Sequence, residues 1–297
     1  MKKAKRYGFS ALFLVFACAA GFCEGAAYKS IGFPGMERQE VAVYRKKYLT
    51  THKKWLYTIL DENESYRVFV RKELEKRKLP LILEYLPIVE SNYLPTARSR
   101  SGAAGMWQFM LNSTKPYLVC NEYVDERLDP WKSTEAALSK LKENYDMFGD
   151  WLIAITAYNT GAGGMRRALG KSAKKDYWSL CDANLLSEQA RQYVPKLLAL
   201  ADVAENAAYY KVNFPTARDG RGNTLDAGYG TFDYLPVTQS FSIEALAREL
   251  RIDEDILAGL NAALVKGVTP PNAEYAIRLP RGMLLPAAYT VYWLGKR

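Results

Sequence analysis

The pattern of apolar and polar positions divides the chain into a long helical part and a short mixed one. Residues 36–78 are dense in charge and in helix formers, and Tyr44, Tyr48, Trp55, Leu56, Ile59 and Leu60 run through them as an apolar stripe. Two amphipathic helices are predicted there. Asp129-Pro130 supplies an N-cap followed by proline at the first helical position, and Leu138, Leu141, Tyr145 and Phe148 then recur at steps of three and four. Residues 151–159 are apolar nearly all round, which predicts a central helix ended by Gly161, Gly163 and Gly164. A further helix is expected from Ser187 to about Ala207, carrying Tyr193, Leu197, Leu200 and Val203. Helix after helix with short loops predicts a mainly α domain.

The pattern changes after Tyr210. Asp219-Gly220-Arg221-Gly222-Asn223, with Gly228 and Gly230, reads as a linker. Beyond it a strand is predicted over 234–241, two short helices over 242–250 and 253–260, and a returning strand over 274–279. The chain is therefore read as a leader (1–25), an N-terminal helical segment (26–64), a main helical domain (65–210), a linker (211–233) and a small α+β module (234–290). A DNA-binding helix-turn-helix is the rival reading of 242–260. Asp253, Glu254 and Asp255 at the start of its second helix would face phosphates, so no nucleic acid is expected as a partner.

The two ends bear on location. Lys2, Lys3, Lys5 and Arg6 precede an apolar run over 10–22 that is short for a membrane span, and small residues follow. This reads as an export signal. Cys18 closes a segment like a lipoprotein cleavage box, making it a candidate for lipid attachment to a membrane. Cys120 and Cys181 remain in the body and are expected to be separate thiols. The net charge is +9; the leader's share of +3 leaves +6, a modest basic excess that suits an anionic polymer without identifying one. His52 is the single histidine, so a multi-histidine metal site is excluded, and no metal or cofactor is expected.

Glu90 carries the candidate chemistry. It is the single acidic residue between Glu84 and Glu122, and it lies in the apolar stretch LPIVESNY. A carboxyl group in apolar surroundings keeps its proton to higher pH, the state a general acid needs. Glu84 lies six residues earlier, about 240° round a helix, and is expected to be solvated. Pro87 predicts a kink just before Glu90. Asp125, Glu126, Asp129, Glu135 and Asp150 are the candidates for a second carboxylate, which glycosidases usually need. Should none approach, one glutamate must serve as acid and then as base.

The runs PIVESNY, SGAAGMWQFM, AYNTGAGG and QYVPK, in that order, resemble the soluble-lytic-transglycosylase domain, and most of all the membrane-bound lytic transglycosylase D group. The resemblance covers roughly residues 65–205. It implies a lysozyme-like helical fold that cleaves peptidoglycan glycan strands, with Glu90 catalytic and a 1,6-anhydromuramic acid product. It further implies that Ser91 supports the carboxylate or the substrate's acetamido group, and that Met106 and Gln108 line the cleft. By the same resemblance Tyr158 faces the reacting sugar, Asn159 contacts the glycan or anchors the loop, and Tyr193 holds the Glu90 carboxyl. Leu111 stands where many relatives carry proline. The strand-helix-helix-strand order of the C-terminal module is similar to a glycan-binding lysin motif. A water-using muramidase and a wall-binding protein without turnover are the rival readings.

Overall fold

The computed structural model of the protein describes residues 26–219, 223–225 and 232–294. The expected leader, with Cys18 in it, lies outside the described residues. Over 36–78 three helices form instead of the predicted two: α1 (Gln39–Leu49), α2 (Lys53–Glu62) and α3 (Glu64–Lys76). Asn63 makes the extra break. It ends α2 and precedes α3, and its side-chain amide donates back to the Ile59 carbonyl at 3.0 Å.

A 3₁₀ turn over Leu81–Tyr85 leads into α4 (Leu86–Ser91), where Pro87 lies in the first turn and breaks no helical hydrogen bond. The predicted kink is thus a change of helix type ahead of Pro87. α5 (Pro130–Phe148) begins as predicted: the Asp129 carboxylate accepts the N–H groups of Trp131 and Lys132 at 3.0 and 2.9 Å. α6 (Trp151–Thr160) is capped by Asp150 and buries Leu152 to Ala157 without interruption. Gly161 ends it at a φ of +80°, whereas Gly163 and Gly164 belong to the first turn of α7 (Ala162–Lys171). α8 (Tyr177–Asp182) then leads to α9 (Glu188–Glu205). Pro195 inside α9 has no N–H to offer the Arg191 carbonyl, and the Tyr177 hydroxyl donates to that carbonyl at 2.9 Å instead.

These nine helices close around one apolar core, with Leu56, Leu74, Leu86, Trp107, Leu138, Ile155 and Leu197 all fully buried. Each such leucine contributes on the order of 2 kcal/mol. Glu84 is buried among them, which corrects the expectation of a solvated residue. Arg67 donates to it at 3.0 Å, and Arg71 pairs with its second oxygen. Arg71 also pairs with Glu205 of α9, and Arg67 reaches the carbonyls of Leu60 and Pro215 at 2.9 and 3.2 Å. The helical angle from Glu90 shows only that Glu84 points elsewhere. Elsewhere here is the interior.

The C-terminal part has the predicted order, β1 (Asp233–Val237), α10 (Ile243–Leu250), α11 (Glu254–Leu260) and β2 (Tyr275–Leu279). The strands pair antiparallel with Leu235 opposite Ile277. An unpredicted α12 (Leu284–Leu294) follows, extending the module past residue 290. Leu246, Leu257, Ile277, Leu279 and Ala287 form a second core, which also takes in Val124 from the loop before α5. Asp125 donates its N–H to the Ala263 carbonyl at 2.8 Å, and Arg278 pairs with the Asp129 cap. The expected class, mainly α with a small α+β part, is the class observed.

Replacing Glu84 with Gln leaves two buried guanidiniums short of a counter-charge, and such a loss costs about 3–5 kcal/mol. Urea denaturation of Glu84→Gln is expected to show a loss in that range. A loss below about 1 kcal/mol would mean that the cluster does not hold this part of the core together.

Candidate active site

Glu90 closes the short helix α4 and faces a cavity of about 540 Å³. The chain must reverse immediately afterwards to leave that side chain at the cavity wall. Asn92 and Tyr93 both adopt left-handed backbone, at φ of +57° and +63°. Such tandem strain in non-glycine residues persists only where packing enforces it. Here the Tyr93 ring is fully buried and its hydroxyl donates to the Glu84 carbonyl. The ion-pair cluster and the turn behind Glu90 are thereby one unit.

Among the described residues no ion pair engages the Glu90 carboxyl, although Lys140 and Lys196 line the same cavity. Burial raises its pKa from 4.5 to about 7, opposed by the one hydrogen bond that the Tyr193 hydroxyl donates to its Oε1. Tyr193 comes from the second turn of α9, 103 residues away in sequence. Burial and the adjacent Glu90 push the hydroxyls of both Tyr193 and Tyr158 well above the ordinary tyrosine range, so both remain donors. Tyr158 donates to the Trp107 carbonyl at 2.8 Å, which ties the end of α6 to the loop over 102–110.

That loop forms the opposite lip. Gly105 sits at a φ of +82°, where a Cβ would fall 1.6 Å from the Arg127 carbonyl oxygen. Its missing side chain serves contact with the protein's own backbone and not with a ligand. Gly102, by contrast, has open space where a Cβ would be. Gln108 also has positive φ, +50°, and its amide donates to the Gly105 carbonyl at 2.8 Å while the side chain lines the cavity.

The structure brings Glu90, Gln108, Tyr158, Asn159 and Tyr193 to this one cavity. Two of the expected site residues are placed elsewhere. Met106 is buried in the main core, and Met110 is the methionine at the cavity wall. The Ser91 hydroxyl donates to the Met106 carbonyl at 2.7 Å and to the Pro87 carbonyl at 3.3 Å, so it fastens α4 to the loop and does not touch Glu90. Trp107 is fully buried, its indole N–H donating to Thr134 at 2.8 Å. Tyr48 and Trp55 of the N-terminal helices, with Lys140 and Lys196, also line the cavity. The aromatic stripe over 44–60 could have signalled Tyr48 and Trp55, but an apolar stripe reads as core.

None of the five candidate second carboxylates lines the cavity. Asp125 is held by Arg127, which keeps its carboxyl below the usual range despite burial. Glu126 pairs with Lys132 and accepts the Val119 N–H at 2.7 Å. Asp129 and Asp150 are helix caps, and Glu135 is exposed on α5. Among the described residues no cluster of potential metal ligands occurs, and no helix is long and apolar enough to cross a membrane. Cys120 and Cys181 are both free thiols.

Comparison with known proteins matches residues 67–181, from α3 through Glu90 and the glycine loop to α8, to the Transglycosylase SLT domain. The membrane-bound lytic murein transglycosylase D of Escherichia coli K12 is 37% identical over 199 residues, covering 64% of this chain and 42% of that protein. The peptidoglycan transglycosylase gp16 of Escherichia phage T7 is 30% identical over 180 residues, covering 57% of this chain and 13% of that protein. The chain therefore spans less than half the length of either relative. Among solved structures, the 70 kDa soluble lytic transglycosylase Slt70 of E. coli superposes with a TM-score of 0.42 at 21% identity, covering 62% of this chain and 33% of that one.

The raised pKa of Glu90 makes its ionised form a cost to the fold. The effect is absent below pH 4.5, where the carboxyl is protonated both folded and unfolded. It grows as pH rises and is complete above about 7, reaching at most about 3 kcal/mol. Glu90→Gln removes it. Denaturation of wild type and Glu90→Gln should therefore give similar stabilities at pH 4, with the variant gaining relative stability up to pH 8. A difference independent of pH would contradict a carboxyl that titrates near 7.

Proposed function

We propose that the protein is an exported peptidoglycan lytic transglycosylase that cleaves the β-1,4 bond between N-acetylmuramic acid and N-acetylglucosamine. The observation that carries this reading is a lone carboxyl, poised near neutrality, in a cavity that no other carboxylate lines. Protonated Glu90 donates its proton to the glycosidic oxygen as the C1–O bond breaks. The substrate's 2-acetamido oxygen takes the place of the missing nucleophile at C1. Glu90, now ionised, removes the proton from the muramic acid C6 hydroxyl, whose oxygen displaces the acetamido group at C1. The product ends in 1,6-anhydromuramic acid, and Glu90 regains its proton.

The rest of the cavity suits an amide-bearing sugar polymer. Asn92, Gln108, Asn159 and Gln189 offer amides to hydroxyl and acetamido groups, and Tyr48 and Trp55 offer faces for sugar rings. Tyr193 orients the carboxyl. A hydrolytic muramidase would need a base to activate water, and Asp125, Glu126, Asp129 and Asp150 are each engaged in an ion pair or a cap outside the cavity. The intramolecular hydroxyl has the further advantage of an effective molarity on the order of 10⁵ M or more. The segment over 234–294 is proposed as a lysin-motif-like module that keeps the enzyme on the wall, with residues 211–233 as its connection.

Glu90→Gln keeps the shape but can neither give nor take the proton. Its release of muropeptides from purified sacculi is expected to fall at least 10²-fold to 10⁴-fold, with binding to sacculi retained. Mass spectrometry of the wild-type products should show anhydro ends, one water lighter than reducing ends. Reducing ends as the main product would transfer the assignment to the muramidase.

Removal of residues 226–297 keeps Glu90, Tyr158, Tyr193 and the cluster partners Pro215 and Arg218, but strips Val124 and Asp129 of their partners in the C-terminal part. The shortened protein is expected to keep activity on soluble glycan, to melt at lower temperature and to sediment less with sacculi. Undiminished sedimentation would remove the wall-binding role from the module.

A further inference from the structure

The loop over 102–110, the lip opposite Glu90, needs external support to keep its shape. Gly102, Gly105 and Gln108 all have positive φ, at +89°, +82° and +50°. Ala104 and Phe109 exchange two backbone hydrogen bonds of 3.0 Å, which pinch the loop. Three helices fix its apex: Ser91 of α4 and Tyr158 of α6 donate to the carbonyls of Met106 and Trp107, and Thr134 of α5 accepts the Trp107 indole N–H. The two ends of the lip are fixed from another direction, by Arg127.

Arg127 lies in the 3₁₀ turn Glu126–Leu128, just before α5, and is buried. Its Nη1 donates to the Gly102 carbonyl at 2.9 Å and to the Phe109 carbonyl at 3.2 Å. Nε and Nη2 each donate to one oxygen of Asp125, both at 2.8 Å. The Arg127 carbonyl in turn occupies the place at Gly105 where a Cβ would be. One residue thus touches the beginning, the middle and the end of the lip. A bidentate pair with Asp125 fixes the plane of the guanidinium, so Nη1 is aimed at the lip and cannot follow it elsewhere. Ion pairing alone would be satisfied by Nε and Nη2. It does not explain why the third nitrogen bridges two carbonyls of a loop that walls the cavity.

We propose that Arg127 is a positioning residue of the cleft: by holding the Gly102 and Phe109 carbonyls on one nitrogen, it fixes the place at which the lip meets the glycan. This role rests on the glycan reading of the Glu90 cavity and adds the residue that sets the cavity's far wall. Ala103, Gln108, Phe109 and Met110 all reach the cavity from this loop. Gln108 uses its Nε2 on the carbonyls of Gly105 and Ala97 at 2.8 and 3.4 Å, and its Oε1 remains available to a ligand. Arg127 does not touch Glu90, which α4 and the Glu84 cluster hold from the other side. Its effect therefore falls on binding and not on the proton transfer. The guanidinium's partners all lie within residues 102–125, none of them in the C-terminal part.

The test uses the full chain carrying Arg127→Lys, which keeps a charge beside Asp125 but offers one nitrogen where the guanidinium uses three. Backbone amide exchange, followed by mass spectrometry, is expected to quicken about tenfold over 102–110 and to keep the wild-type rate over 81–93. On soluble glycan strands KM is expected to rise about tenfold with kcat within about twofold, the split that marks lost binding rather than lost chemistry. A soluble β-1,4 oligomer of N-acetylglucosamine, titrated calorimetrically into Glu90→Gln with and without Arg127→Lys, should lose affinity by the same factor. Asp125→Asn is the milder variant and serves should Arg127→Lys fail to fold; it should give the same pattern at about threefold. Wild-type exchange over 102–110, or unchanged KM and oligomer affinity in a chain whose lip exchanges faster, would overturn the role. So would a fall in kcat at unchanged KM. If the wild type itself neither cleaves glycan nor binds the oligomer, the glycan reading fails, and the exchange rates still decide whether Arg127 holds the lip.

Discussion

The buried ion-pair cluster around Glu84 is the constraint from which the site is built. Its guanidiniums come from α3, its second acid from α9, and Arg218 joins from beyond α9 at 3.1 Å from Glu205. Tyr85 donates to Glu205 at 2.7 Å, and Tyr93 reaches back to the Glu84 carbonyl. The segment over 81–93 is thus tied at both ends to one charged knot, and α4 with Glu90 lies between the ties. Charges this deep are expensive to desolvate and hold only when every partner is in place. The cluster therefore fixes one geometry for the segment rather than adding much net stability.

Two glutamates six residues apart consequently meet opposite surroundings. Glu84 lies between two guanidiniums; Glu90 lies among tyrosines and apolar side chains, with a single hydroxyl donor. Desolvation acts on Glu90 without a compensating cation, and its carboxyl titrates near neutrality. The guanidiniums of Arg67 and Arg71 are engaged by Glu84 and Glu205. Arranging cations to hold the helix while keeping them from the acid is one local solution to both needs.

Much of this was legible in the sequence, and the failures have physical causes. The cap at Asp129, the helix start at Ser187 and the strand-helix-helix-strand order follow from local rules, which act over a few residues and survive tertiary packing. Glu90 was legible because a lone acid in an apolar run is itself a local feature. The burial of Glu84 was not, because its partners are 13 and 17 residues away on another helix. Periodicity also cannot distinguish a core aromatic from one at a cavity edge, so Tyr48 and Trp55 read as core. Met106 shows the same limit in reverse: whether it or Met110 meets the cavity depends on the left-handed turns at Gly105 and Gln108, which the motif does not encode.

The boundary of the matched segment is not the boundary of the cleft. α1 and α2 lie outside residues 67–181, yet they supply Tyr48 and Trp55 to the Glu90 cavity, and α1 packs along α9, which delivers Tyr193. α9 itself also lies beyond the matched segment. A carboxyl buried enough to hold its proton near neutrality needs walls on every side, and residues 67–181 alone leave Glu90 without Tyr193 and without the aromatic floor of Tyr48 and Trp55. Desolvation is a property of the closed site, so the raised pKa of Glu90 belongs to the whole helical body.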